Sequence, residues 1–426
     1  MIINVLVIVF TLAGIRAILF SKNGLEKSLE WIIYAFLLGY RTFEPIPGLK
    51  LHPIEILIYA AIVRIIIIKP SKFVKMPVSI SILGIFFITI FAIDIITRYD
   101  QWALVEFKNS LLFILIFLIA RYIDFNRSYV IKLLRAYFII ATIISTIGIL
   151  EFLFPSLIAN LFGFQESVRP KAQSIYFSRL AFLFWGSHLA ANLIPAVFPI
   201  LLLLKTEREP IVNNNFFLIL YILINLFAIY LSGNRVSWII ITVLLFLTIS
   251  QYKSYKIRYL KAYIGLITFA FVAYIYSQPV EGRYLSAFKA LTGQIDIRYD
   301  SSGNERLSRA KIAFNSIVSN PQGTGWGSQG WIHNDILQIS STTGVIPGFI
   351  LLFTPIFLLL RIYRFYRAAP LEQKTILFTL IGLLIFIIIS MILNGNFALV
   401  QTGVPLFVLW ALTYFYIENY YQLSKS

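Results

Sequence analysis

This sequence predicts an all-α fold: a polytopic integral membrane bundle of about twelve or thirteen transmembrane helices with one long extracytoplasmic loop. Three observations predict it. Of 426 residues, 59% are apolar and only 13% charged, with a mean hydropathy of +0.83, whereas a soluble domain carries roughly 25% charged residues. Apolar runs such as 111–120 and 381–389 continue without the alternation of a barrel strand. Basic clusters recur at every second connection, as in a chain that crosses a membrane repeatedly. The same composition excludes disorder, whose signature is low hydrophobicity.

Candidate spans of about 20 apolar residues, shorter where aromatic residues flank them, follow one another along the chain. They lie near 2–20, 29–41, 54–68, 79–97, 109–121, 136–154, 178–204, 215–231, 236–250, 262–277, 336–360, 375–393 and 399–417. The first has neither a basic n-region nor a small-residue cleavage site, and is expected to be retained. The second and third are short enough to be tilted or re-entrant. Basic clusters sit at Lys69/Lys72/Lys75, Arg121/Arg127/Lys132/Arg135, Lys205/Arg208, Lys253/Lys256/Arg258/Lys261 and Arg361/Arg364/Arg367/Lys374. Two spans separate each cluster from the next, so all belong to one side, which the positive-inside rule makes cytoplasmic. The connections 98–108, 155–177, 232–235, 278–335 and 394–398 then face the other way, and thirteen spans put the N-terminus there too. The domain reading is an N-terminal bundle, 1–277, the loop 278–335, and a C-terminal bundle, 336–426.

In a soluble protein, 36 Lys+Arg against 19 Asp+Glu, a net charge of +17, would point to nucleic acid. Here positive-inside loops account for the excess, so membrane lipids are expected as partners and nucleic acid is not. The absence of cysteine excludes disulfide, Fe–S and zinc-thiolate chemistry. With only His52, His188 and His333, no multi-histidine metal site is expected either.

The loop 278–335 is far longer than the usual connection of about 4–6 residues. It opens at Pro279 and contains the turn-rich runs DIRYDSSGNER and NPQGTGWGSQGW. Between them, apolar residues at Leu307, Ile312, Ala313, Phe314, Ile317 and Val318 predict an amphipathic helix over 304–319, capped by Asn304 and lying against the membrane surface. The glycines Gly323, Gly325, Gly327 and Gly330 lack the Lys-Ser/Thr and the preceding strand of a phosphate loop. They read better as a tight turn with close backbone approach. No internal repeat is evident.

Function concentrates on long loops over rigid scaffolds, and His333 stands where this one re-enters the membrane, in WIHNDILQISSTTG. A neutral imidazole is the natural general base for a hydroxyl; an interfacial helix anchor is the structural alternative. Asn334 either caps the entering helix or orients a substrate. Arg235, in the hinge YLSGNRVSW, offers a permanently charged fork suited to phosphate oxygens, or snorkels at a helix end. Arg306 and Arg309 lie about one helical turn apart and can face one anion, although a solvated face suits Arg309. Arg169, Lys171 and Arg179 form a further outer cluster that fits substrate or lipid head groups. Arg16, Glu55, Arg64, Asp94 and Arg98 lie in or at the ends of apolar spans, where pairing with one another is the default expectation. His188 reads as a hydrogen-bonded bundle residue.

Three segments carry a resemblance to a known family. SGNRVSW is similar to an SGxRxxW element, with Arg235 at the arginine. ERLSRAKIAFNSIVSNPQGTGWGS resembles a loop pattern of Arg, Ala seven residues on, then Asn-Pro and a glycine turn; Arg306, Ala313, Asn320-Pro321, Gly323 and Gly325 take those places. HNDILQISSTTG looks like HNxxLxxxxExG, with His333, Asn334, Leu337 and Gly344 in place. In this order the motifs resemble those of the bacterial O-antigen ligase/polymerase superfamily, membrane glycosyltransferases of the GT-C type. More loosely, GSHLAANLIPAVFPILLLL resembles a span that begins Pro-Asn-x-Leu-Ala in that family. The motif-bearing part runs from roughly 165 to 350, and beyond it the match is in hydropathy alone. Thr342 stands where the family usually has Glu, Ala310 where it has Trp, and Ser187-His188 where it has Pro-Asn.

The resemblance implies a metal-independent, cofactor-free enzyme of the bacterial inner membrane with its active site on the periplasmic face. Its donor would be an undecaprenyl-diphosphate-linked glycan and its acceptor a sugar hydroxyl. His333, Arg235 and Arg306 would be catalytic, with Asn334, Arg309, Arg169 and Arg179 binding substrate. An O-antigen polymerase, whose acceptor is a lipid-linked repeat unit and which can work with a chain-length regulator, is the favoured branch. A ligase, transferring to lipid A core or protein, is the alternative. A polysaccharide transporter or flippase is the rival from another class, against which the lack of repeats counts.

Overall fold

The structure, a computed structural model, describes residues 2–38, 42–46, 49–68, 70, 74–97, 101–154, 193–232, 234–250, 265, 301–330, 332–395 and 399–423. For some of these, Arg235 among them, it describes the backbone alone. The chain is an all-α membrane bundle carrying one small β-hairpin.

The N-terminal part comprises α1 (Ile2–Phe20), α2 (Gly24–Tyr34, continued by a 3-10 turn Ala35–Leu38), the antiparallel strands β1 (Phe43–Ile46) and β2 (Leu49–Leu51), and α3 (Pro53–Ile68). Then come α4 (Val78–Thr97), α5 (Gln101–Ala120) and α6 (Arg127–Leu153). The start of α6 is fixed by Asn126, whose Oδ1 accepts the Tyr129 amide at 2.9 Å, as an N-cap does. After the next described turn, Ile194–Ala196, follow α7 (Val197–Thr206), α8 (Asn215–Ser232) and α9 (Arg235–Ser250). The C-terminal part comprises α10 (Ser301–Ser319), α11 (Asp335–Thr343), α12 (Val345–Ala368), α13 (Leu371–Leu393) and α14 (Val400–Leu423).

Six described helices, α4, α5, α6, α8, α12 and α13, are long and apolar enough to cross a membrane. Their outward residues are apolar and uncovered, for example Ile85, Ile88 and Ile96 on α4 and Phe349, Phe353 and Phe357 on α12. That is the surface acyl chains cover, while the helical backbone satisfies its own polar groups. In the centre, α13 packs against α7, α9, α11, α12 and α14, and α5 against α3, α4 and α14. Gly382 permits one close crossing, since a Cβ there would lie 3.0 Å from Pro199.

The charge pattern is legible in space. Arg127 pairs with Glu207 at 2.6 Å, Lys132 with Glu30 at 2.7 Å, Arg135 with Glu209 at 2.9 Å, and Arg361 with Glu418. Asn419 reaches Asp124, and the Val74 amide donates to the Arg121 carbonyl at 2.9 Å. These links gather the described basic clusters at one end of the bundle, here termed the basic end.

Several expectations change. The span 336–360 is two helices, broken at Gly344 (φ 106°). The nine residues of α11 are too short to cross. The loop helix starts at Ser301, so Asn304 lies inside it and is not its cap. The second span begins earlier, at Gly24, and ends by Leu38, leaving room for the hairpin. Three of the charges within apolar spans have partners outside the expected set. Glu55 pairs with Lys108 at 2.7 Å, Arg64 donates to the Leu19 and Ser21 carbonyls, and Asp94 accepts a backbone amide. The span 262–277, apart from residue 265, and most of 178–204 lie outside the described residues, as do His188, Arg169, Lys171, Arg179 and Arg98.

Candidate functional site

His333 sits in the connection between α10 and α11, at the end of the bundle opposite the basic end. Two anchors hold it. On one side the Ile332 amide donates to Gln338 Oε1 at 2.7 Å. On the other, Asn334 Oδ1 caps α11 by accepting the Leu337 amide at 2.9 Å, and Asn334 Nδ2 donates to the Ile392 carbonyl of α13 at 2.7 Å. Of the two roles read for Asn334, the structure shows the helix cap.

The glycine turn before His333 is built for backbone approach. Gly323, Gly325, Gly327 and Gly330 all have positive φ, from 66° to 92°. Backbone amides of Thr324 and Gly325 donate to the carbonyls of Ser341 and Thr342 at 2.9 and 2.8 Å, and that of Val345 donates to Pro321 at 2.9 Å. A Cβ on Gly323 would lie 2.5 Å from the Thr342 carbonyl oxygen, and one on Gly327 would lie 2.7 Å from the Ala103 nitrogen. The turn thus lies flat on α11 and on the start of α5.

Trp326 anchors the turn. Its side chain is fully buried, edge-on to Phe87 and Phe107, and its indole N–H donates to the Phe87 carbonyl at 3.3 Å. Two carboxylates complete the seat. Asp94 Oδ2 accepts the Trp326 amide at 2.7 Å, and Glu106 Oε2 accepts the Gly327 amide at 2.6 Å. Charge-assisted bonds of this kind are roughly twice as strong as neutral ones. Neither carboxylate's partner was foreseen. The signal available was that Asp94 lies just before, and Glu106 within, one short connection expected at 98–108.

Above this floor runs α10. Arg309 Nε pairs with Glu305 at 3.1 Å, and a Cβ on Gly330 would lie 3.9 Å from Arg309 Nη1, so the guanidinium stands over the loop. Ser316 accepts from Gln329 at 3.0 Å and ties the helix to the turn. Ala313 is fully buried, whereas Leu307, Ile312, Phe314 and Val318 are exposed. Burial, followed by the charge of Arg306, pushes the His333 imidazole down to about 4, with Arg309 adding to the effect and Glu305 opposing it. Arg306, Arg309 and His333 therefore share one electrostatic environment, and the imidazole is neutral at pH 7.

The start of α9 belongs to the same end. Lys205 Nζ donates to Asn215 Oδ1 at 2.9 Å, which fixes the start of α8 at the basic end, so α9 begins at the other. Both α9 and α11 pack on α13, whose Ile392 carbonyl receives Asn334. Asn234 Oδ1 accepts the Val236 amide at 2.9 Å and caps α9, a feature not expected from the sequence, so Arg235 is the first helical residue. An open groove of about 630 Å³ lies elsewhere, toward the basic end between α4, α12 and α14, lined by Val78, Phe353, Phe357, Arg361 and Tyr414.

No protein-family model matches this chain, and no curated protein matches it.

Proposed function

We propose that the protein is a polysaccharide polymerase that transfers a glycan from a polyprenyl diphosphate to a sugar hydroxyl of a lipid-linked repeat unit, on the outer face of the bacterial inner membrane. The observation that carries this reading is the neutral, anchored imidazole of His333 sharing its surroundings with the guanidiniums of Arg306 and Arg309. A base and an anion clamp at one place suit displacement of a diphosphate by an alcohol.

In that reaction His333 accepts the acceptor hydroxyl's proton as its oxygen bonds to the anomeric carbon. The bond from that carbon to the diphosphate oxygen breaks, and the electron pair leaves with the diphosphate. Arg306, with Arg235 at the head of α9, balances the charge that grows there, while Arg309 binds the donor. A seated diphosphate also cancels part of the positive field on His333 and raises its basicity when a base is required.

The test is the surface-glycan profile of a deletion strain carrying wild-type, His333→Ala, Arg235→Ala or Arg306→Ala protein. A polymerase leaves glycolipid capped with one repeat unit when it is missing or inactive. Uncapped core, with long chains stranded on the polyprenyl carrier, would mean a ligase. Full assembly by all three variants at normal protein levels would remove the catalytic reading and favour a transporter. In a purified assay the acid limb of kcat/KM should fall below the ordinary histidine value of about 6.5. Arg306→Ala should move that limb upward, because loss of a nearby positive charge favours the imidazolium.

A further inference from the structure

Glu106 holds two distant pieces of chain together. It stands in the second turn of α5, and its carboxylate accepts the Gly327 amide at 2.6 Å and the Gln338 side-chain amide at 2.5 Å, the latter 232 residues away in sequence. Gln338 is 2% exposed and uses both ends of its amide. Its Nε2 donates to Glu106 and to the Gly330 carbonyl at 3.0 Å, and its Oε1 accepts the Ile332 amide at 2.7 Å. The contact with Glu106 orients this amide: the carboxylate takes only donors, so Nε2 faces α5 and Oε1 must face Ile332. With the amide turned round, an oxygen would face the carboxylate and the Ile332 N–H would meet another donor.

We propose that Glu106 is a positioning residue for His333, acting through Gln338 to fix the backbone of the residue that precedes the imidazole. The role rests on the reading of His333 as the base. A general base must sit within hydrogen-bond reach of its proton, so a small displacement of the loop costs rate before it costs binding. Glu106→Gln places an amide where two N–H donors converge. Gln338→Glu sets two carboxylates face to face. In the double variant the donors and acceptors are exchanged. The amide now at position 106 would donate to the carboxylate now at position 338 and accept from Gly327, while that carboxylate would accept from Ile332. The bond to the Gly330 carbonyl is replaced by a contact between two oxygens.

The experiment uses full-length protein in lipid nanodiscs at pH 7.5, above the ordinary histidine value of about 6.5. Carbethoxylation of His333 by diethylpyrocarbonate, followed by peptide mass spectrometry, reports how well the imidazole is held, without reference to glycan transfer. Transfer kcat and donor KM are measured alongside. Each single variant should react about fivefold faster at His333 and lose about tenfold in kcat with KM within twofold. The double variant should return both within about threefold of wild type. Lys132→Ala, which breaks an ion pair at the basic end, should change neither. Single variants that fold and keep wild-type labelling and kcat would overturn the proposal. So would a folded double variant whose labelling stays fast. If the singles do not fold, the double variant alone decides by the same criterion. If labelling follows the predicted pattern while His333→Ala still transfers glycan, the positioning of His333 stands and the proposed function falls.

Discussion

The basic end and the seat of the glycine turn are fastened by different chemistry. At the basic end, long side chains pair with long side chains, as in Arg127–Glu207 and Arg135–Glu209, where each arginine is more than a third exposed. Under the glycine turn, carboxylates are aimed at backbone amides. Asp94 holds Trp326, and Glu106 holds Gly327. A salt bridge between flexible side chains tolerates movement and is weakened by water and salt. A buried carboxylate on a main-chain N–H fixes the chain itself. The basic end is tied by pairs that tolerate movement, while the glycine turn is held in one shape, as a loop that carries chemistry requires.

That contrast can be broken in order of expected effect. Trp326→Ala should cost most, about 3–5 kcal/mol of unfolding free energy, because it empties a fully buried site between α4 and α5; thermal unfolding in nanodiscs measures it. Gly323→Ala should follow at about 2–3 kcal/mol, since it combines a positive φ with a methyl 2.5 Å from a carbonyl oxygen. Asp94→Asn should cost about 1.5–2 kcal/mol through loss of a charge-assisted bond at a buried site. Arg135→Ala, at the basic end, should cost less than about 1 kcal/mol, and less still in high salt. An Arg135→Ala effect equal to that of Asp94→Asn would erase the distinction.

Much of the fold was legible in the sequence because a membrane makes composition and charge spacing decisive. Most described helices lie close to the expected spans, and the described basic clusters meet at one end as their alternation implied. Arg306, Arg309 and His333 could be grouped because helical spacing and loop membership are local signals. The glycine turn proved to be what its lack of a phosphate-loop context suggested, a device for backbone approach. The partners of Asp94, Glu106 and Gln338 were not legible. Each joins residues hundreds of positions apart, and a carboxylate that meets a backbone amide leaves no complementary residue type to search for. Asp94 was read for pairing with other charges, and nothing in the sequence pointed to the main chain of Trp326, whose amide it accepts. The break at Gly344 was hidden by apolar neighbours, although Ser340, Ser341, Thr342 and Thr343 just before it are poor company for a membrane-spanning helix.

The latch between 321–325 and 341–345 has a consequence for exchange with solvent. Thr324, Gly325 and Val345 carry amide protons bonded across the break between α11 and α12, although the first two lie in a glycine-rich turn outside any helix. Their deuterium uptake should therefore be slow, and it should rise together with that of α11. By that measure the turn and the short helix form a single cooperative unit.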